Sequence, residues 1–221
     1  MEESVKNTSD VMQFRENYFL DLNSVLIKFR KEHGMKDAKE LIPYLRRMLH
    51  WYENMGHIVL DDSIEKPSTS NDSLKKSPEG KLITCGVIIK DVNDKILACV
   101  PTGSSYYFDI PKGCANKDED DLDAAIRECR EETGLRLDYF RNEIEDLGVY
   151  KYLKHKDIHL FRLKLPFVAL DTFVHTLKCT SYFMDKDGIE KPEVSGYRVV
   201  DPKTCENFNT SMTELIRKFA I

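Results

Sequence analysis

The stretch that most constrains this chain runs from Pro111 to Leu135, PKGCANKDEDDLDAAIRECREETGL, where a charged loop leads into a short helix. Asp120 and Asp121 carry short carboxylates of the kind that accept the free N–H groups of a first helical turn. Leu122 to Thr133 contain neither Gly nor Pro, and Gly134 stands where a left-handed residue would end the helix. At about 100° per residue, Leu122, Ile126, Cys129 and Thr133 share one side, while Glu128, Glu131 and Glu132 share an arc of about 100° on the other. One face is expected to pack and the other to carry three carboxylates. Two accounts fit such an arc: the carboxylates splay into water as a solvated acidic face, or hard divalent cations such as Mg2+ or Mn2+ join them. Like charges about 4 Å apart repel by up to about 4 kcal/mol in a partly shielded site, so one or the other is required.

The flanking residues favour the cations. The whole segment fits G-x5-E-x7-R-E-U-x-E-E-x-G-U, where U is a bulky apolar residue, at Gly113, Glu119, Arg127, Glu128, Glu131, Glu132, Gly134 and Leu135. In this it resembles the signature box of the Nudix hydrolases. One position departs: Cys129 stands where the family usually has an aliphatic residue, and a buried Cys behaves as a small hydrophobe. The resemblance implies an α+β fold, the Nudix α/β/α sandwich with a mixed β-sheet. It implies that Glu128, Glu131 and Glu132, with the carbonyl of Gly113, hold Mg2+ or Mn2+. Glu119 and Arg127 would pair across loop and helix as structural support, since the planar guanidinium grips a carboxylate at two points. Lys112 is either a phosphate contact or an ordinary solvated lysine.

The rest of the chain divides around this segment into an N-terminal helical region, 1–60, a linker or long loop, 61–80, and a Nudix domain, 81–221. Val11, Phe14, Tyr18, Leu22, Val25 and Phe29 recur at helical spacing, with Gly34 beyond them. A second helix is expected near Ile42 to Asn54, because Pro43 suits a first turn. Together they form a helical hairpin, which either packs on the main domain or a partner, or serves as a regulatory or substrate-clamping lobe that could meet protein or RNA. The run DDSIEKPSTSNDSLKKSPEG holds too few apolar residues for a core.

Leu82–Lys90 and Lys95–Val100 read as strands joined by a turn at Asp91 to Asp94. Gly148–Tyr152, Ile158–Leu165, Leu177–Met184 and Tyr197–Val200 read as further strands, and Phe208–Phe219 as a terminal helix capped near Thr210 or Ser211. Tyr106, Tyr107 and Phe108 precede the box and either stack on a base or lie half-buried in a strand. Lys151, Lys154 and Lys156, with His155, make the best local basic patch, suited to phosphate or an RNA backbone unless it is only a solvated turn. Nudix enzymes often draw a further carboxylate from outside the box. Glu193 is the nearest match and Glu190 the second, the alternative being an acidic surface loop. Among Glu128, Glu131, Glu132 and Glu193, the catalytic base and the metal ligands cannot be separated by sequence.

The net charge of −5 argues against bulk nucleic-acid affinity, so any RNA contact must be local. No run of 18 apolar residues suits a membrane span, MEESVKNTSD is unlike a secretory signal, and six cysteines lack metal or disulfide spacing. A reducing, cytoplasmic setting is the expectation. The family resemblance implies hydrolysis of a nucleoside diphosphate linked to another group. PKG-x-x-NKDE and the helical region ending in HWYENM resemble mRNA-decapping Nudix enzymes, which implies a capped-RNA or related 5′-end substrate. The PKG entrance is similar to that of diadenosine polyphosphate hydrolases, which keeps dinucleoside polyphosphates, and other small nucleotides such as ADP-ribose and NADH, as alternatives. A catalytically silent nucleotide-binding module is the third reading, disfavoured because all the glutamates are present.

Overall fold

The computed structural model describes residues 73–220, apart from 105, 166, 167, 205 and 206, together with Ile27, Arg30, Lys31 and Gly34. The predicted N-terminal hairpin lies outside the described residues except for these last four, and residues 61–72 of the predicted linker lie outside them too. The strands are β1 (Leu82–Lys90), β2 (Ile96–Pro101), β3 (Lys112–Cys114), β4 (Glu145–Leu153), β5 (Lys156–Lys164), β6 (Tyr182–Met184), β7 (Glu190–Pro192) and β8 (Val194–Val200). Two α-helices are described in this part of the chain, α1 (Asp121–Thr133) and α2 (Thr210–Phe219).

A mixed sheet in the order β4-β5-β1-β2-β8 forms the middle layer, and β3 adds to β1. β1 is parallel to β5 from Leu82 opposite Lys156 to Lys90 opposite Lys164, and the other pairings in the sheet are antiparallel. Every residue of β1 after Leu82 is buried, as a central strand covered on both faces requires. Because successive side chains point to opposite faces, β1 and β5 serve two cores. Ile88, Ile158 and Leu160 pack with Met212, Leu215 and Ile216 of α2. His159, one position out of step, instead meets Asp121 at the start of α1. α1 packs mainly on β1 and β3. Helix, sheet and helix are therefore stacked in the order the family resemblance implies.

Several local expectations change. The strand expected over 177–184 is confined to β6, because the Lys178, Thr180 and Ser181 amides before it bond to the Thr133 and Glu131 carbonyls of α1 and not to a neighbouring strand. The expected loop 185–196 contains β7 and the start of β8. α2 is capped by Asn209, whose side chain accepts the Met212 N–H, and not by Thr210 or Ser211. Among the described residues Cys85, Cys99, Cys114, Cys129 and Cys179 are free thiols, and no described helix is long and apolar enough to cross a membrane.

Candidate active site

The helix α1 begins and ends where its sequence says. Asp120 accepts hydrogen bonds from the Leu122 and Asp123 amides, and Gly134 takes a φ of +78°, which closes the helix with its N–H on the Arg130 carbonyl. The division of its faces is different from the expectation. Ala124, Ala125, Ile126, Cys129 and Thr133 are buried, but so are Glu128 and Glu132, each only 8% exposed. The carboxylate arc is not a solvated face: it lies under β3.

Gly113 makes that burial possible. A Cβ at this position would fall well inside 3.0 Å of the Glu128 carboxylate, so only a glycine leaves room for it. Next to it, the Lys112 N–H donates to Glu132 Oε2 at 2.9 Å. The Tyr197 hydroxyl of β8 donates to the Glu132 carbonyl at 2.7 Å. From the far side of the helix, the Thr180 and Ser181 amides donate to the Glu131 carbonyl at 2.7 and 3.2 Å.

Glu119 and Arg127 are joined as a fork, Nε to Oε1 at 2.8 Å and Nη2 to Oε2 at 2.9 Å. Glu119 Oε2 also accepts the Asn116 N–H, and Arg127 Nη2 donates to the Cys114 carbonyl. The support expected from these two residues is therefore a closed ring around the box loop. Burial works to raise the Glu119 pKa, but the Arg127 fork and the Asn116 N–H outweigh it and hold the carboxyl below its ordinary value. The remaining guanidinium nitrogen, Nη1, reaches Glu128 Oε1 at 2.7 Å and Glu131 Oε2 at 3.4 Å.

One guanidinium does not balance this group. Burial pushes the Glu128 carboxyl up to about 7, against the pull of Arg127 and with the added repulsion of Glu131 and Glu193. Burial pushes Glu132 up to about 8 despite Lys112. Glu131 is raised as well, chiefly by burial. A buried carboxylate short of positive partners is costly, and a divalent cation is the partner such oxygen donors accept. The donor set, with Glu128 brought against the backbone at Gly113, thus fits Mg2+ or Mn2+. Among the described residues no three His, Cys, Asp or Glu side chains are already gathered about one point, and Arg127 Nη1 occupies the space between Glu128 and Glu131.

The other expected residues are spread over the surface. Glu193 is exposed at the entry to β8, with its N–H on the Ser181 carbonyl and its own carbonyl accepting from Thr102, and its charge is felt at both Glu128 and Glu131. The Lys112 ammonium is committed to Asp109 at 2.9 Å and would have to leave it to meet a phosphate. Burial would lower its pKa, but Asp109, Tyr152 and Glu132 keep it raised. Phe108 packs edge-on against Phe208 at the margin of the α2 core, whereas Tyr106 and Tyr107 are 80% and 62% exposed. Lys151 and Lys154 are exposed at the β4–β5 hairpin and Lys156 is partly so. Sequence reasoning passed over Asp109, Tyr197, Thr180 and Lys75, none of which lies in the box. Only the closed fold brings them to it.

The family model described as NUDIX domain matches residues 81–219. An uncharacterized 17.7 kDa protein of Enterobacteria phage T4, from the e-segB intergenic region, is 38% identical over 131 residues, covering 56% of this chain and 84% of that one. Among solved structures, the E. coli dihydroneopterin triphosphate pyrophosphohydrolase is 16% identical with a TM-score of 0.48, covering 66% of this chain and 97% of that one. A C. elegans Ap4A hydrolase is 16% identical with a TM-score of 0.42, covering 62% and 95%. The MutT protein of Methanosarcina mazei Go1 is 18% identical with a TM-score of 0.43, covering 62% and 91%. Since the family model runs through the whole described sheet from β1 into α2, the chain belongs to the NUDIX domain family.

Proposed function

We propose that the protein is a Mg2+- or Mn2+-dependent pyrophosphohydrolase that cuts a nucleoside diphosphate from a linked group, with an mRNA cap or related RNA 5′ end as its substrate. A NUDIX chain that retains every glutamate of its box is a hydrolase, not a silent binding module. The observation that carries the reaction is the burial of Glu128, against Gly113, and of Glu132, which raises their carboxyls to about 7 and about 8 despite Arg127 and Lys112.

In this reading Glu128, Glu131 and Glu132 supply carboxylate oxygens and Gly113 its carbonyl to the cation. Bound there, Mg2+ or Mn2+ would offset phosphate charge and ease the loss of a proton from water. Arg127 gives up Glu128 and Glu131 while Glu119 retains its hold on the Nε side. Glu193, exposed and with its charge felt at Glu128 and Glu131, would accept the proton of the attacking water in this reading, with the box glutamates as the other candidates for that base.

Support for the capped end comes from PKG-x-x-NKDE, from Tyr106 and Tyr107 standing free to stack on a base, and from the exposed lysines of the β4–β5 hairpin. The N-terminal helical region, 1–60, would then bind RNA or a protein partner, joined by the linker to the catalytic domain. Dinucleoside polyphosphates are the second reading, favoured by the net charge of −5 and by the engagement of Lys112 with Asp109. Cap-labelled RNA, diadenosine tetraphosphate, ADP-ribose and NADH should be offered in parallel with Mg2+ or Mn2+, with Glu132→Gln as control. Release of methylated guanosine diphosphate from RNA, with small nucleotides poor, is the expected result. Turnover of a dinucleotide with inert RNA would move the substrate to the second reading. Full activity of Glu132→Gln would overturn the site, since losing a group that stabilises transition-state charge should cost at least about a hundredfold.

A further inference from the structure

Residues 73–76 precede the span matched by the family model, yet they are bound to the box loop. The Lys75 N–H donates to the Ala115 carbonyl at 2.9 Å, the Lys117 N–H to the Ser73 carbonyl at 2.7 Å, and the Ile83 N–H to the Lys75 carbonyl at 3.0 Å. Leu74 bridges to Asn116 and Lys76 to Leu82. A turn over 77–80 returns the chain to β1, with Ser77 N–H on the Lys81 carbonyl. The end of the expected linker is thus a strap that lies along the loop between Gly113 and α1.

The strap delivers one charge. Lys75 Nζ donates to the Glu119 carbonyl at 3.0 Å and to Asp121 Oδ1 at 2.6 Å. Asp121 Oδ2 is held in turn by His159 Nδ1 at 2.7 Å. Lys75 therefore fixes the backbone of Glu119 and the first residue of α1 in one contact. Glu119 is the residue that grips Arg127, and Arg127 Nη1 is the group that lies on Glu128 and Glu131. If Glu119 shifts, the guanidinium is no longer drawn towards the loop and can close further on the two glutamates, where it competes with a cation.

We propose that Lys75 is a positioning residue for the metal site: by anchoring Glu119 it restrains Arg127 from Glu128 and Glu131 and so sets the cation affinity of the box. This rests on the metal-site reading given above. It extends the working part of the box beyond the family's matched span to residue 73.

The test uses the full chain with Lys75→Met, which keeps the aliphatic stem and removes the ammonium, and with Lys75→Arg, which restores a donor. Free Mn2+ is measured by electron paramagnetic resonance, and amide hydrogen exchange at Lys117 is followed in the metal-free protein. Partners beyond the direct ligands commonly change metal affinity by about 10- to 100-fold, and Lys75 acts at the outer edge of that set, so Lys75→Met should weaken Mn2+ binding about tenfold. Lys117 should exchange faster, kcat at saturating Mn2+ and KM should stay near wild type, and Lys75→Arg should recover Mn2+ binding. Wild-type Mn2+ affinity in Lys75→Met would overturn the proposal alone. A general loss of thermal stability without rescue by Lys75→Arg would reduce Lys75 to a structural residue and overturn it as well. Failure of the wild-type protein to bind Mn2+ would overturn the metal-site reading and this proposal together.

Discussion

Gly113→Ala tests the geometry at its tightest point. The added methyl would fall well inside 3.0 Å of the Glu128 carboxylate, which must retreat by roughly an ångström to reach ordinary contact. It cannot do so freely: Arg127 Nη1 holds Glu128 Oε1 at 2.7 Å, and the side chain is buried. Overpacking of this kind costs about 1–3 kcal/mol, and misplacing a reacting group by about 1 Å costs on the order of 100-fold in rate. Urea unfolding and initial rates measure the two effects. Glu128→Ala removes the atoms that clash, so the methyl at 113 should cost almost nothing in that background. The double-mutant cycle should return a coupling of about 1–3 kcal/mol. Equal stability and activity of Gly113→Ala and wild type, or a methyl cost unchanged by Glu128→Ala, would refute the close approach of Gly113 to Glu128.

Three further outcomes follow from the same site. In metal-free protein Glu128 and Glu132 keep their protons up to about 7 and about 8, against 4.5 for an ordinary glutamate, so the fold binds more protons than the unfolded chain across that window. The stability these two groups contribute should therefore be fully present below pH 4.5, be lost as pH rises towards 8, and be restored by Mg2+ or Mn2+, as thermal unfolding between pH 5 and 8 with chelator and with added cation would show. Arg127→Lys keeps the charge but loses the two-point grip on Glu119 and the bond to the Cys114 carbonyl, and should cost about 1–3 kcal/mol in chemical denaturation together with most of the activity. Asn209→Ala removes the cap of α2 and should cost about 1 kcal/mol with little change in KM, because the helix lies on the face of the sheet away from α1.

The helix of the box was legible residue by residue. Asp120, the uninterrupted run to Thr133 and Gly134 act within a few bonds of one another, so sequence is enough to place them. β1 was legible as a continuous apolar run of the kind a strand covered on both faces needs, and β5 by the alternation of apolar and polar residues over Ile158–Leu165. β6 was overextended since apolar character at Leu177 also suits a buried residue that closes a 3-10 turn, and periodicity does not separate the two. The cap of α2 was placed one or two residues late because Asn209, Thr210 and Ser211 are all acceptable cap types, and only the direction from which the chain enters decides among them.

Sequence by itself determined that three glutamates share one arc of a capped helix, a property of covalent order and helical period, while the roles of Gly113, Glu119 and Arg127 were legible only through the resemblance to the Nudix box. Only the tertiary structure decided that the arc is buried and not solvated, that the Lys112 ammonium belongs to Asp109, and that Lys75 returns to hold the loop. The physical reason is that burial and ion pairing depend on which surfaces meet. Lys75 and Asp121 are 46 residues apart along the chain and 2.6 Å apart in space, a distance that no local pattern encodes.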